Sequence, residues 1–581
     1  MEHTSNPELL LQTTTKDILQ QLRSIDKELS VKELCNDMNF IALLESLRQT
    51  DAFSQDFKST ARGENQHQAT HLLRKLKTAY AMPANQLLLS LGRLNQLLDP
   101  TSCDSWYNLQ EKAMNSADGR LSITKLLLTY SNDDRLPNLI AQLEEEDPHA
   151  IYPTSTYRTS SATVNSNSDG SYIEAVMSTS TMTEIHIAEG VLDKTNTLLS
   201  DIYKPLERCV AIIDSNVEEH YGDKIENYFK HHNISFTKLV YRAMEVDKGI
   251  KMVEALLADF KRIGVSRQEP VLIVGGGVIA DTGGLACALY HRNTPYVMLA
   301  TSIVSGIDAG PSPRTCCDGF GFKNLFGAYH APVVTLTDRT FFKTLKSGWI
   351  RHGIAEIIKM AVVKDAQLFE LMETTGIDLL RSQFGTATDD QKLKDQGQRV
   401  LSLAMRSYVQ SEYGNLHETH QCRPHAYGHT WSPGYEIPSG MLHGHAVACG
   451  MGFGAFLSHK NGWISQQDRD RIMQLISTFE LSLWHDILDD TDLIYNAQVK
   501  VIEKRGGNLV APLPKGAIGK CGYLNELSHQ QMKDSIAAYK SLCQQYPRNG
   551  LGIEPLCEDV GLENPGVTGS AGVMENTYER V

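Results

Sequence analysis

The sequence predicts an α/β domain built on a largely parallel sheet, a helical domain after it, and an all-α region in front. Three observations carry that prediction. From Thr183 onward, short β-branched runs alternate with helical segments, the pattern of strands joined by crossover helices. One such run, 271–274, breaks into Gly275, Gly276 and Gly277 and enters a helix near Val278. From about Lys343 the apolar spacing turns helical and stays so.

In chain order, residues 1–150 are rich in Leu, Gln, Lys and Glu, with helical patterns at 18–22 and 85–98. They hold no cluster of His, Cys or paired carboxylates, which suits an interaction, oligomerisation or regulatory role better than chemistry. The stretch 153–170 consists mostly of small polar residues that cannot bury enough apolar surface to offset ordering, so 151–180 reads as a flexible linker. Strands are expected at 183–187, 209–213, 235–241, 271–274, 296–299 and 333–336. They place the α/β domain over 181–345 and the helical domain over 346–562, with a Gly-, Ser- and Glu-rich tail at 563–581.

The 581 residues are enough for about three domains, and 41% hydrophobic content is ample for their cores. A net charge of −14 argues against a general nucleic-acid binder, so an anionic substrate must be held by a local cluster of basic groups. The 11 cysteines are scattered without a CxxC pair, and the opening residues lack a basic segment followed by an apolar one. Reduced thiols and a cytoplasmic location are expected. No run approaches the ~18 apolar residues of a membrane span.

The glycine segment fits G-x-G-x-x-A through Gly275, Gly277 and Ala280, a pattern that lets backbone N–H groups approach a diphosphate at a helix N-terminus. A tight strand-to-helix turn is the alternative. The acidic residue that a Rossmann site places at the end of the next strand is missing from 296–302, so this is either no dinucleotide site or one of a different fold. Residues 308–329 combine glycines and prolines with Arg314, Lys323 and Asn324. A loop of that kind suits a phosphorylated polyol, although an exposed structured loop would read the same way.

Further on, the apolar spacing of 350–361 predicts an amphipathic helix with Glu356 and Lys359 on one face, which alone would be an ordinary surface ion pair. Ala426-Tyr-Gly-His-Thr-Trp-Ser-Pro433 and Met441-Leu-His-Gly-His445 add His429, His443 and His445. Two histidines with Glu356 would make a three-ligand metal site with one position open for substrate oxygen. The spacing is not the compact HExxH form, and structural histidines remain the alternative.

Taken together, Gly-Gly-Gly-Val-Ile-Ala-Asp281, Ile307-Asp-Ala-Gly310, Lys323-Asn324, Ala355-Glu-Ile-Ile-Lys359, Gly428-His-Thr430 and His443-Gly444 resemble the dehydroquinate synthase-like sugar phosphate cyclases over 183–561. The resemblance implies an NAD-binding α/β domain followed by a helical metal-binding domain. It implies NAD and a divalent metal as cofactors, zinc or alternatively cobalt, with Glu356, His429 and His443 as metal ligands. Lys359, Lys323, Asn324, Asp308 and Arg314 take the catalytic or substrate-contacting places. Asp214, Asn216, Glu245, Lys248, Gly275, Gly276, Gly277, Asp281, Thr301, Ser302, Thr344 and Leu345 take the places of the cofactor contacts. A homodimer is the family expectation.

Two departures narrow the substrate. Where dehydroquinate synthases have Gly-Gly-Lys-Thr, this chain has Ser312-Pro-Arg-Thr315, and an active-site His of theirs is Pro433 here. Both point away from the acid substrate of that reaction and toward the members that use sedoheptulose 7-phosphate, a phosphorylated heptulose. A metal-dependent polyol dehydrogenase and a non-catalytic relative are the readings from other classes.

Overall fold

A computed structural model describes residues 158–166, 168, 170–267, 269–320, 322–418 and 421–568. The helical region expected over 1–150 and the 569–581 part of the expected tail lie outside the described residues. The chain divides into two compact units, one ending at Glu184 and the other starting at Ile185. In the first, the stretch expected as a linker contains two antiparallel strands, β1 (Arg158–Ser166) and β2 (Ile173–Thr181), paired in register from Arg158↔Thr181 to Ser166↔Ile173. The Thr and Val residues distributed along them favour extended backbone.

The second unit is organised on a six-stranded sheet. Its order is β3 (Glu184–Ala188), β10 (Val334–Asp338), β7 (Tyr296–Ala300), β6 (Val271–Gly275), β4 (Arg208–Asp214) and β5 (Ser235–Tyr241), the six predicted positions. The pairs β4/β5, β4/β6, β6/β7 and β7/β10 are parallel. Every residue of β6, β7 and β10 is buried, as strands covered on both faces should be; β6 and β7 are near-continuous apolar runs, and β10 buries Thr335, Thr337 and Asp338 among its apolar residues. Helices α1 (Ser215–His231), α2 (Ile250–Ile263) and α3 (Gly277–Leu289) follow β4, β5 and β6.

The segment expected as a phosphate-binding loop is instead an antiparallel hairpin, β8 (Arg314–Gly319) and β9 (Phe322–Tyr329). Its glycines and charges hide a β-prone content of Thr315, Cys316, Cys317, Phe322, Phe326 and Tyr329, which the ladder uses.

A helical half completes the unit: α4 (Ser347–Val363), α5 (Ala366–Thr375), α6 (Gln391–Glu412), α7 (Ser432–Ser439), α8 (His443–Lys460), α9 (Gln466–Thr478), α10 (Thr491–Lys504) and α11 (His529–Cys543). A hairpin of β11 (Ala511–Lys515) and β12 (Ala517–Leu524) lies among them in sequence. The amphipathic reading of α4 is corrected here. Every residue from Gly353 to Val363 is buried, because α4 runs through the middle of the core with Ile354, Ile357 and Ile358 fully enclosed. Truncating one of these isoleucines to Ala should cost about 2–5 kcal/mol. A Cβ at Gly444 would lie 2.6 Å from His352 Cα, so the first turn of α8 abuts α4 only because residue 444 is glycine. That approach carries His443 to Glu356. Among the described residues no helix is long and apolar enough to cross a membrane, and all nine described cysteines are free thiols.

Candidate active site

In a parallel sheet the carboxyl ends of the strands open a crevice where the strand order reverses. Here β4 has β5 on one side and β6 on the other, so the reversal lies between β4 and β6. Asp214 ends β4 and Gly275 ends β6. A Cβ at Gly275 would meet Asp214 Cβ at 3.0 Å and Ile279 Cγ2 at 2.4 Å, so only glycine fits. Its neighbours are different. A Cβ at Gly276 would meet nothing nearer than Ser302 Oγ at 3.8 Å, and one at Gly277 nothing nearer than Ala309 Cβ at 3.7 Å. The loop is therefore open on the side where α3 begins, a cradle shaped to admit a diphosphate against backbone N–H groups.

Other predicted cofactor contacts gather at this edge. Asp214 Oδ1 accepts from Asn216 N at 2.9 Å and caps α1. Burial pushes its carboxyl above the usual range. Thr301 N donates to Gly275 O at 3.1 Å, and Ser302 Oγ lies 3.0 Å from Ser305 Oγ. Thr344 and Leu345 follow β10, two strands from β6, where Thr344 Oγ1 lies 3.1 Å from Tyr221 OH.

Glu245, Lys248 and Asp281 join a charged network with the hairpin. Lys248 Nζ lies 2.6 Å from Asp281 Oδ2 and donates to Asn324 Oδ1 at 2.8 Å. Asn324 sits at a positive φ of 53°, a conformation Asn tolerates, and its N–H donates to Asp318 Oδ1 at 2.8 Å. Lys323 Nζ lies 2.7 Å from both Glu245 Oε1 and Glu436 Oε1. Burial opposes the Glu245 charge, but Lys323 and Lys248 outweigh it and pull the carboxyl down to about 2.

The metal-type cluster is built from α4, the turn at 424–430 and the start of α8. Glu356 Oε1 lies 3.3 Å from His443 Nε2 and 3.7 Å from His429 Nε2, and the two nitrogens are 3.3 Å apart. One donor atom from each residue falls within 4.8 Å of the others. The outer nitrogens are engaged: His429 Nδ1 with Tyr427 O at 3.2 Å and His443 Nδ1 with Glu436 Oε2 at 2.9 Å. Each outer N–H thus donates, so when both rings are neutral their Nε2 lone pairs face each other and a carboxylate, an array that calls for a proton or a metal ion between them. Three acceptors so close need a shared positive charge. The spacing suits a tetrahedral ion, whose ligands at ~2.0–2.1 Å stand about 3.3 Å apart.

Glu356 is 2% exposed, and among the described residues neither of its oxygens receives a well-directed hydrogen bond, although Lys359 Nζ lies 2.5 Å from Oε2. Burial opposes its charge, yet Lys359 and His429 hold the carboxyl well below the usual range. His443 shows the same field: burial disfavours its charge, but Glu436 and Glu356 push it up to about 10. His429 goes the other way, to about 4, because burial dominates. Lys359 Nζ also reaches Asp308 Oδ2 at 3.0 Å, on the π-helical turn Ser305–Ala309. His445 lies apart, its Nδ1 2.9 Å from Ser482 Oγ.

Arg314 is placed differently from a free phosphate grip. Its guanidinium pairs with Glu412 on α6 and with Glu418 Oε1 at 2.8 Å, tying the hairpin to the helical half. Pro433 occupies the first turn of α7, where its missing N–H costs nothing. Glu436 and Asp318, both buried, were not singled out from the sequence. Spacing offered a weak signal for Glu436, which stands seven residues from each of His429 and His443.

Comparisons with known proteins match the chain to two family models. The 3-dehydroquinate synthase N-terminal model matches residues 238–352 and the 3-dehydroquinate synthase C-terminal model matches 353–500. A demethyl-4-deoxygadusol synthase of Trichormus variabilis is 37% identical over 368 residues, 63% of this chain and 89% of that protein. A 2-epi-5-epi-valiolone synthase of Actinomyces sp is 34% identical over 368 residues, 62% of this chain and 95% of its own length. Among solved structures, the 2-epi-5-epi-valiolone synthase of Streptomyces hygroscopicus subsp. jinggangensis, with NAD+ and Zn2+ bound, superposes with a TM-score of 0.58 at 29% identity. That match covers 62% of this chain and 97% of the other.

Proposed function

This chain belongs to the dehydroquinate synthase-like sugar phosphate cyclases, and on that premise we propose that it converts sedoheptulose 7-phosphate to demethyl-4-deoxygadusol with loss of phosphate. The observation that carries the reading is the convergence of Glu356, His429 and His443 beside Lys359, in a chain whose glycine loop leaves an open cradle at the sheet's switch point. Glu356, His429 and His443 would hold a divalent metal, zinc or alternatively cobalt. The crevice between Asp214 and Gly275 would hold NAD.

When bound, NAD supplies a hydride acceptor for a ring carbinol and the metal supplies Lewis acidity at that carbinol's oxygen. The remaining work falls to side chains of this chain. Oxidation makes the neighbouring C–H acidic; its proton leaves, and the resulting enolate expels phosphate, which departs with the electron pair of the C–O bond. Lys359, braced by Asp308, sets an ammonium beside the developing oxyanion, where a preorganised donor counts most. Lys323 and Asn324 on β9 hold the phosphate end, while Arg314, engaged by Glu412 and Glu418, braces the hairpin. The hydride is then returned to the oxidised carbon, which leaves no net NADH. Ring opening and an intramolecular aldol step close the carbocycle. Loss of one water gives the conjugated enone of the gadusol precursor, whereas the valiolone keeps that water.

The departures at Arg314 and Pro433 support a heptulose phosphate over the acid substrate of dehydroquinate synthase. The proposal includes a cytoplasmic homodimer acting at the first step of mycosporine-like amino acid synthesis. A second reading, 2-epi-5-epi-valiolone from the same substrate, is favoured by the 34% identity to a synthase of that product. The ultraviolet spectrum of the product formed from sedoheptulose 7-phosphate and NAD decides between them. Conjugated-enone absorption is expected; a transparent product formed with phosphate release favours the valiolone.

A further inference from the structure

A single carboxylate stands between the metal-type cluster and the hairpin. Glu436 is 5% exposed; its Oε2 lies 2.9 Å from His443 Nδ1 and its Oε1 2.7 Å from Lys323 Nζ. His443 turns its other nitrogen toward Glu356 and His429. Lys323 arrives from β9, so Glu436 joins the helical half to the sheet half at the point where substrate would lie.

The backbone fixes this arrangement. Glu436 is on α7 and His443 opens α8, with only Gly440, Met441 and Leu442 between the helices. Leu442 N donates to Pro555 O at 2.8 Å, Cys557 N to Gly440 O at 2.9 Å, and Tyr435 OH to Ala446 O at 2.7 Å. The corner is pinned on both sides, which holds the start of α8 beside α7 and the His443 ring within reach of Glu436. A buried carboxylate is costly unless paired, and the two partners of Glu436 are the two groups it connects.

We propose that Glu436 is a positioning residue that couples the metal ligand His443 to the substrate-contacting Lys323. The proposal rests on the reading of Glu356, His429 and His443 as metal ligands. By accepting from His443 Nδ1, Glu436 fixes the tautomer and ring plane and raises the basicity of Nε2. Because Lys323 competes for the same carboxylate, an anion that draws Lys323 away leaves Glu436 a stronger acceptor for His443. Anion binding and metal binding then favour each other, reciprocally.

The test uses the full-length protein stripped of metal and titrated with zinc alone against a chromophoric chelator, with no turnover required. Glu436→Gln, nearly isosteric, should weaken zinc binding by about 10–100-fold, the range for outer partners of ligating histidines. Lys323→Met should tighten zinc binding when Glu436 is present, and by clearly less in the Glu436→Gln background. Zinc affinity within about twofold of wild type in Glu436→Gln, or an equal effect of Lys323→Met in both backgrounds, overturns the coupling. Should Glu436→Gln fail to fold, Lys323→Met alone still decides, since unchanged zinc affinity in that variant overturns it. Wild-type protein that takes up no zinc in the same titration overturns instead the metal reading on which the proposal rests.

Discussion

Lys359 Nζ lies 2.5 Å from Glu356 Oε2, one turn along a helix that is buried on every side, while Oε1 of the same carboxylate faces His429 and His443. The pair is thus neither an ordinary surface salt bridge nor two unconnected groups. Lys359 compensates one oxygen, and the other is left to the histidines. Replacing Lys359 by Met should leave zinc content intact and lower kcat by about 10²–10³-fold, the usual loss for one preorganised donor to a developing oxyanion. Elemental analysis beside steady-state kinetics checks this; joint loss of metal and activity would mean that the two side chains act only as a pair.

Glu356→Ala removes the one carboxylate of the ligand set. Metal stoichiometry should fall to background and turnover with it. Retained zinc in the purified variant would exclude Glu356 as a ligand.

The glycine loop predicts a contrast between neighbours. Gly275→Ala forces a Cβ to 2.4 Å from Ile279 and 3.0 Å from Asp214 and should destabilise the fold by about 1–3 kcal/mol. Gly276→Ala meets no such obstacle and should melt near wild type. It should nevertheless bind NAD at least about tenfold more weakly, roughly 1.4 kcal/mol, because its methyl group enters the open cradle. Equal NAD affinity in Gly276→Ala and wild type would remove the cofactor from this loop.

Asp318 supplies a pH signature. It is 0% exposed with Oδ2 unpartnered among the described residues, and burial, aided by the nearby Glu245, pushes its carboxyl up to about 6. The unfolded chain ionises near ~3.9, so between there and about 6 the folded state holds the extra proton. Stability from this group is present at acid pH, falls as pH rises through that window and levels off above it. Asp318→Asn keeps an acceptor for Asn324 N and lacks the titration. Its stability relative to wild type should therefore rise across the window to on the order of 2–3 kcal/mol. Urea unfolding of both proteins at pH steps from 4 to 8 measures the difference; a pH-independent gap would show Asp318 ionised throughout.

All six strands of the main sheet were legible in the sequence: the buried central ones because apolar runs in a covered parallel sheet need no alternation to stand out, and the two edge strands, β3 and β5, through their β-branched and aromatic residues. The site residues that come together at a distance, Glu356 with His429 and His443, were legible through their motif surroundings. What escaped had a physical reason in each case. The β8/β9 hairpin was hidden by glycines and charges whose partners are far away in sequence, such as Glu436 for Lys323 and Glu412 for Arg314. The apolar spacing of α4 signalled a helix but not its burial, since Glu356 and Lys359 seemed to mark a wet face until the structure enclosed them. Asp318 carries no local pattern and Glu436 only its spacing from His429 and His443, and their roles depend on a pinned helix corner and on one buried backbone N–H.

The central claim is an NAD- and metal-dependent cyclase that eliminates phosphate, and its most direct test is a stoichiometry. Sedoheptulose 7-phosphate is incubated with the zinc-loaded protein and substoichiometric NAD, and phosphate and NADH are followed together. The account predicts one phosphate per substrate consumed with no net NADH, and loss of both phosphate release and substrate consumption after metal removal by a chelator. NADH accumulating in step with substrate loss while phosphate stays bound to sugar would contradict it and mark a polyol dehydrogenase instead.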